Sequence, residues 1–274
     1  LTSLFEKFSI NLVLHAAAYK HVPLVEENPV IGLENNIFST MAICEASQKF
    51  NVEKLVLISS DKAVRPTNIM GVSKRISELI VQGFSENTKN SKNSTIFSIV
   101  RFGNVLGSSG SVVPLFREQI NKGGPITITD KNMVRYFMTI EEASNLVIQA
   151  SSLAISGDIL LLDMGSPLYI RELAEKMITL AGLTLKNENN PKGDIEISYI
   201  GKRPGEKLYE ELLISAKSEK TSHPLIFKAR EEFIPSKFLF NKLKELKESL
   251  SNFNLKNIFL ILKDLVPEWE NSEV

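Results

Sequence analysis

Three short apolar runs, INLVL (10–14), KLVLISS (54–60) and TIFSIVRF (95–102), are separated by two stretches of helical periodicity, 28–50 and 70–86. A strand that is apolar at nearly every position must be covered on both faces, which happens where helices flank a parallel sheet. Strand, helix, strand, helix, strand at these spacings predicts right-handed βαβ units and an α/β, doubly wound parallel sheet. Asn28-Pro29 predicts the start of the first helix, since proline suits the first helical turn. HAAAYKH (15–21) reads as the loop before it.

Beyond Phe102 the texture changes. GNVLGSSGSVVP reads as a Gly/Ser-rich loop, FREQINKGG as helical, and ITITD as a short strand. MTIEEASNLVIQASSLA (138–154) predicts a helix whose acidic start suits its dipole. DILLLDMG (158–165) reads as a strand and SPLYIRELAEKMITLAG (166–182) as a helix ending at Gly182. KNENNPKGD (186–194) reads as a surface loop and GDIEISYIG (193–201) as a strand, followed by the loop KRPGEKLYEEL. Residues 236–274 predict an amphipathic helical tail.

Composition narrows the function class. The formal net charge of zero gives no electrostatic reason to expect a nucleic-acid partner or a membrane surface. His15, His21 and His223 lack partners at metal-ligand spacing, so no metal site is expected, and Cys44 lies in an apolar helical pattern as a small hydrophobe. No apolar run approaches the roughly 20 residues that span a membrane. The opening LTSLFEKFSINLVLHAAA does not read as a signal peptide. It lacks an initiator Met and begins in mid-pattern, which predicts a segment N-terminal to Leu1.

Ligands of open parallel sheets bind at the carboxyl ends of the strands. Three strand ends carry small or polar residues: His15-Ala16-Ala17-Ala18, Ser59-Ser60-Asp61-Lys62 and Arg101-Phe102-Gly103-Asn104. Each alone could cap a turn. Their joint occurrence in this order points to one crevice, and Met70 and Lys74, one helical turn apart, would share a helix face beside it.

The motifs HAAAYKHVPLVEENP, NNIFST, SSDKAVRPTNIMGVSKR, RFGNVLGSSGSVVPLF, VRYFMTIEEA and GKRPGEKLYEEL run in order from about residue 10 to 235. Together they resemble the extended short-chain dehydrogenase/reductase family. Within it they resemble the UDP-N-acetylglucosamine 4,6-dehydratases of bacterial polysaccharide and glycan biosynthesis, in the branch that carries Met where Tyr is usual. The resemblance implies a partial Rossmann-like NAD(P)-binding domain over 1–110, completed by parts of 138–165, a mainly sugar-nucleotide-binding lobe over 111–235, and the helical tail of 236–274. It implies NAD as cofactor, with NADP open, because the family's Gly-rich phosphate loop would precede Leu1. It further implies UDP-N-acetylglucosamine as substrate, self-association through helices flanking the sheet, and a cytoplasmic catalytic domain that makes no membrane contact itself, the full-length protein being open to anchoring.

By the same resemblance, Lys74 would bind the nicotinamide ribose, with His15, Ala16, Ala17, Ala18, Ser59 and Val105 as further cofactor contacts. Asn35 would brace the backbone of the site. Ser60 would hold the sugar C4 oxygen, Asp61 would act as acid toward O6, and Lys62 as base toward the C5 proton. To do so Lys62 must lose its own proton, which burial or the nearby Lys74 charge would favour. Lys20, Lys62, Asn104, Arg135, Arg203 and Glu206 would contact the substrate, the arginines suiting phosphate oxygens. Met70 stands at the usual catalytic tyrosine position, but a thioether has no proton to exchange. That role must pass to Asp61, Ser60 or a water, Met70 being left to pack beside the nicotinamide. Two other readings remain open on the same residues: a sugar-nucleotide epimerase, which needs no pair for expelling water, and a catalytically silent nucleotide-binding or scaffold protein.

Overall fold

A computed structural model describes residues 1–88, 95–213, 218–229, 231 and 234–270. Parts of the expected 111–235 lobe and the last four residues of the expected tail therefore lie outside the described residues. The chain divides into two compact units.

The first unit comprises 1–102, 145–163 and 211–274. Its sheet is built on β1 (Leu12–His15), β2 (Lys54–Ile58) and β3 (Ile96–Arg101), which pair in that order and in parallel, followed in parallel by Ile159–Leu162. The apolar runs thus form the expected α/β parallel sheet. Two further strands were not legible in the sequence: Ile226–Ala229 pairs antiparallel with Ile159–Leu162, and Ser218–Lys220 pairs antiparallel beyond it. They move the lobe boundary expected at 235 back to 210, because these short strands satisfy their backbone on the first unit's sheet.

The helix expected over 28–50 runs as Pro29–Leu33, a π-helical turn at Glu34–Phe38, and Ser39–Lys49. The helix expected over 70–86 is Ile69–Thr88, hereafter the central helix. Asn68 caps it, its Oδ1 accepting from Gly71 N at 2.8 Å. Of its 20 residues 18 are buried, so it must be covered on both sides. One cover is the sheet, through residues such as Leu57, Phe97 and Ile99. The other is the tail, which forms two helices, Ser236–Ser251 and Leu255–Leu265, and buries Leu239, Leu243, Leu246, Ile261 and Leu262 in the same core. At Gly83 an added Cβ would lie 3.1 Å from Leu239, showing how closely the first tail helix approaches. Self-association through the central helix would therefore have to displace this chain's own tail.

The second unit comprises 103–144 and 164–210. Ile126–Ile128, Ile195–Tyr199 and Leu185–Lys186 form a small parallel sheet, and helices Val112–Asn121 and Ile170–Leu180 pack with it around Phe116, Ile120, Ile178 and Ile195. No helix among the described residues is long and apolar enough to cross a membrane.

A buried ion network joins β3, the central helix and the segment after the second unit. Arg101, the last residue of β3, is fully buried and donates from Nε and Nη2 to the two oxygens of Glu78 at 3.0 and 2.7 Å. It also donates to Glu231 (2.7 and 3.1 Å) and to the Leu212 carbonyl (2.9 Å). Arg75 donates to Glu78, Glu231 and Glu268. Burial alone would raise the Glu78 carboxyl, but the charge and hydrogen bonds of Arg101, then Arg75 and Ser59, hold it below the ordinary range. Removing one partner of such a network strands the others in a low dielectric. Arg101→Met is expected to cost about 3–5 kcal/mol in urea unfolding, far beyond the loss of one surface pair.

Candidate active site

The first unit gathers its reactive groups where β2 ends. Ser60 is extended and caps a one-turn 3₁₀ helix, Asp61–Ala63, its Oγ accepting from Lys62 N at 3.2 Å. That hydroxyl also donates to Asp61 Oδ1 at 2.8 Å. Lys62 Nζ donates to the same Oδ1 at 2.9 Å. Asp61 is 1% exposed, whereas the Lys62 side chain is 22% exposed, so the pair is open on the lysine side only. Asp61 Oδ2 is buried and has no hydrogen-bond partner among the described residues. A buried oxygen left without a donor is costly unless something else supplies one. Here that oxygen lies in the only serine-aspartate-lysine turn singled out from the sequence.

The central helix fixes this turn from below. At Gly71 an added Cβ would sit 2.4 Å from the Lys62 carbonyl oxygen and 3.0 Å from Pro66 Cβ, so only glycine allows the helix so near. Three residues on, Lys74 is 8% exposed and its Nζ donates to the Ile58 carbonyl at 2.9 Å, which places the ammonium at the end of the strand that leads into Ser60. Burial lowers this amine to about 8, against an opposing effect of the Glu78 charge. An ammonium has three donors. With one on Ile58, the others suit the paired hydroxyls of a ribose, so the donor set fits a nicotinamide dinucleotide.

Several residues expected at the ligand have partners within the chain. Met70, expected to pack, is 2% exposed within the hydrophobic core, and its backbone carbonyl accepts from Ser73 Oγ. Ser59, expected at the cofactor, donates its hydroxyl to Glu78 at 2.6 Å and belongs to the ion network. His15 is 7% exposed, its Nε2 lies 3.0 Å from Thr40 Oγ1, and burial, then the Lys74 charge, lower it to about 4, so it is a neutral structural ring. The bracing expected of Asn35 belongs to Asn36. Asn35 only donates to Asn36 Oδ1, whereas Asn36 accepts from Tyr19 N (2.7 Å) and donates to Tyr19 O (3.0 Å) and Ser73 Oγ (2.9 Å). It thereby ties the HAAAYKH loop to the central helix. Ala16, Ala17 and Lys20 in that loop are exposed, and Ala18 is half-buried. The NNIFST motif located the position, but only packing chose which of its asparagines faces inward.

In the second unit, Arg135 is held against backbone carbonyls. Its guanidinium donates to the carbonyls of Val134 (2.7 Å), Leu208 (3.0 Å) and Lys207 (2.8 Å). It thus staples Val134–Arg135 to the GEKLYEEL segment. Glu206 accepts from Thr129 Oγ1 (3.0 Å) and from Arg203 N (3.1 Å), closing the turn that carries Arg203, which is exposed. Asn104 and Val105 form a two-residue strand beside Phe137–Met138 and are half-buried. Among the described residues no cluster of three His, Cys, Asp or Glu side chains could hold a metal ion.

Residues 1–231 match the family described as polysaccharide biosynthesis protein. The chain belongs to that family. The capsular polysaccharide biosynthesis protein CapD of Staphylococcus aureus is 52% identical over 213 residues, covering 78% of this chain and 34% of CapD, so the chain spans about a third of that relative's length. The crystal structure of Pen from Bacillus thuringiensis superposes with a TM-score of 0.71 at 34% identity, covering 88% of this chain and 78% of Pen. DesIV of Streptomyces venezuelae, a dTDP-glucose 4,6-dehydratase solved with NAD and TYD bound, shares the fold with a TM-score of 0.65 at 19% identity, covering 77% of this chain and 68% of DesIV. Sugar-nucleotide 4-epimerases share it too. The fold of this family member is thus Rossmann-like, and its structural neighbours include NAD-bound enzymes of both reaction types.

Two outcomes follow from this geometry. Gly71→Ala is expected to destabilise the protein by about 1–3 kcal/mol in urea unfolding, since backbone on both sides must move. For Lys74, the unfolded amine near 10.5 holds its proton more tightly than the folded one at about 8. Its contribution to stability should therefore become more favourable as pH rises through that window. The unfolding free energy of wild type relative to Lys74→Met should shift toward wild type between pH 8 and 10.5 and be flat below pH 7.

Proposed function

We propose that this chain is the catalytic part of an NAD-dependent UDP-N-acetylglucosamine 4,6-dehydratase that makes a UDP-4-keto-6-deoxy sugar for polysaccharide assembly. The observation that carries the reading is the buried Asp61 Oδ2 without a donor, beside a serine hydroxyl and a lysine amine on one turn. Membership in the polysaccharide biosynthesis family supports the pathway, and the Pen-like and DesIV-like fold supports the chemistry class.

A nicotinamide, when bound, supplies reversible oxidation and reduction at sugar carbons. Lys74 would hold its ribose. Ser60 binds the C4 hydroxyl oxygen and relays its proton to Asp61, which starts as the carboxylate, so no tyrosine is needed at position 70. The 4-ketone acidifies the C5 proton, which Lys62, as the free amine, removes. Asp61 returns its proton to the C6 hydroxyl, which departs as water. Reduction at C6 and return of the Lys62 proton to C5 complete the product and restore a carboxylate and an amine. The sugar has then lost one water and nothing else, and the protein is unchanged.

The second reading, a 4-epimerase, is favoured by the shared fold but leaves the Asp61-Lys62 pair without a task. Incubation of the protein with UDP-N-acetylglucosamine and NAD in D₂O separates the two. Dehydration gives loss of one water and deuterium at C5, while epimerisation gives no mass change. Asp61→Asn should reduce water loss by about 10²–10⁴-fold, the scale of general acid–base catalysis. Wild-type turnover in that variant would sink the assignment.

A further inference from the structure

We propose that the C-terminal segment Glu268–Glu270 is a positioning element for the Ser60-Asp61-Lys62 turn, acting through the loop that joins this turn to the central helix. The catalytic importance of the turn rests on the function proposed above; the clamp itself does not.

The segment lies beyond the residues matched by the family, which end at 231. The tail nevertheless forms a strap that reaches both ends of the central helix, its first helix lying against that helix and its second folding back on the first. At the far end, Ser236 N donates to Glu86 Oε2 (2.8 Å) and Ser236 Oγ to Asn87 Oδ1 (2.9 Å). At the near end, Arg75 Nε donates to Glu268 Oε1 (3.2 Å) and Glu270 N donates to the Pro66 carbonyl (3.0 Å). Between these ends Ile258, Ile261, Leu265, Val266 and Trp269 are core residues. Burying the helix explains the apolar stripe but not the backbone hydrogen bond from Glu270 to the loop after the reactive turn.

That loop requires holding. Arg65 has φ of 39°, a left-handed backbone at a residue that also precedes a proline, where extended conformations are preferred. Such a residue persists only when its surroundings over-determine it. Its bidentate ion pair with Glu211 is one restraint, weakened by solvent screening because the side chains are 42% and 44% exposed. Further restraints are the Asn68 cap and the Ile69 N–Glu26 hydrogen bond on the helix side, and the hydrogen bond from the exposed Glu270 to the carbonyl of the buried Pro66. A second line runs from Glu268 through Arg75 and Glu78 to the Ser59 hydroxyl, one residue before Ser60. The strap therefore grips the turn from both of its chain neighbours.

The test uses two pairs of variants in the whole protein. Glu270→Pro deletes the donor N–H, while Glu270→Ala keeps it; Glu268→Ala cuts the Arg75 contact, while Glu268→Gln keeps an acceptor. Amide hydrogen exchange is read over residues 61–68, with β3 as internal reference. Glu270→Pro and Glu268→Ala should speed exchange at 61–68 by about fivefold to tenfold, the size of one lost hydrogen bond, with β3 unchanged and the other two variants close to wild type. In the dehydration assay kcat should fall in the same two variants while KM holds. Unchanged exchange at 61–68, or an equal rise in β3, would overturn the clamp. Selective loosening in a protein that never dehydrates the sugar would support the clamp and overturn the function assigned to the turn.

Discussion

The pairing of Arg101 with Glu78 sits where β3, the central helix and the chain returning from the second unit meet, with neither side chain exposed to solvent. Two opposite charges taken out of water gain from each other only if geometry is good and every remaining donor and acceptor is satisfied. Here Glu231, Arg75, Ser59 and the Leu212 carbonyl complete the set. Ser59 makes this network matter for chemistry, because the residue that follows it opens the reactive turn. A strand end that would otherwise fray is fixed by ionic contacts on one side and by Lys74 on the Ile58 carbonyl on the other.

On that support the turn places three polar groups within one helical step. Ser60 and Lys62 both donate to one oxygen of Asp61, and the other oxygen is buried with no hydrogen-bond partner among the described residues. The arrangement explains how a methionine can stand at position 70. If the turn carries the proton, as proposed, position 70 needs no hydroxyl, and Met70 packs in the core. Gly71, next in sequence, has no room for a side chain against the Lys62 carbonyl, so the helix and the turn are set at one distance by sterics rather than by attraction.

Several residues expected at the ligand also serve as structural connectors. Arg135 hydrogen-bonds three carbonyls, Glu206 closes its own loop, and His15 faces Thr40. Each residue type suits phosphate, ribose or cofactor binding, yet a planar guanidinium or a carboxylate equally suits the unpaired backbone groups of an irregular segment. Among the described residues of the second unit, turns and two-residue strands leave many such groups.

The sequence by itself determined the parallel sheet, because apolar β-branched runs alternating with helical periodicity admit few other arrangements. It also determined the Ser60-Asp61-Lys62 cluster, because contiguous residues on a tight turn stay together in any fold. It flagged Asn35 within the NNIFST motif and an amphipathic tail. Only the tertiary structure decided that Asn36 rather than Asn35 faces inward, since a π-helical turn changes which side chains a helix presents. Only it brought Glu231 to Arg101, 130 positions apart, and laid the tail along the central helix. Contacts between residues distant in the chain depend on how elements pack, and local periodicity carries no record of that.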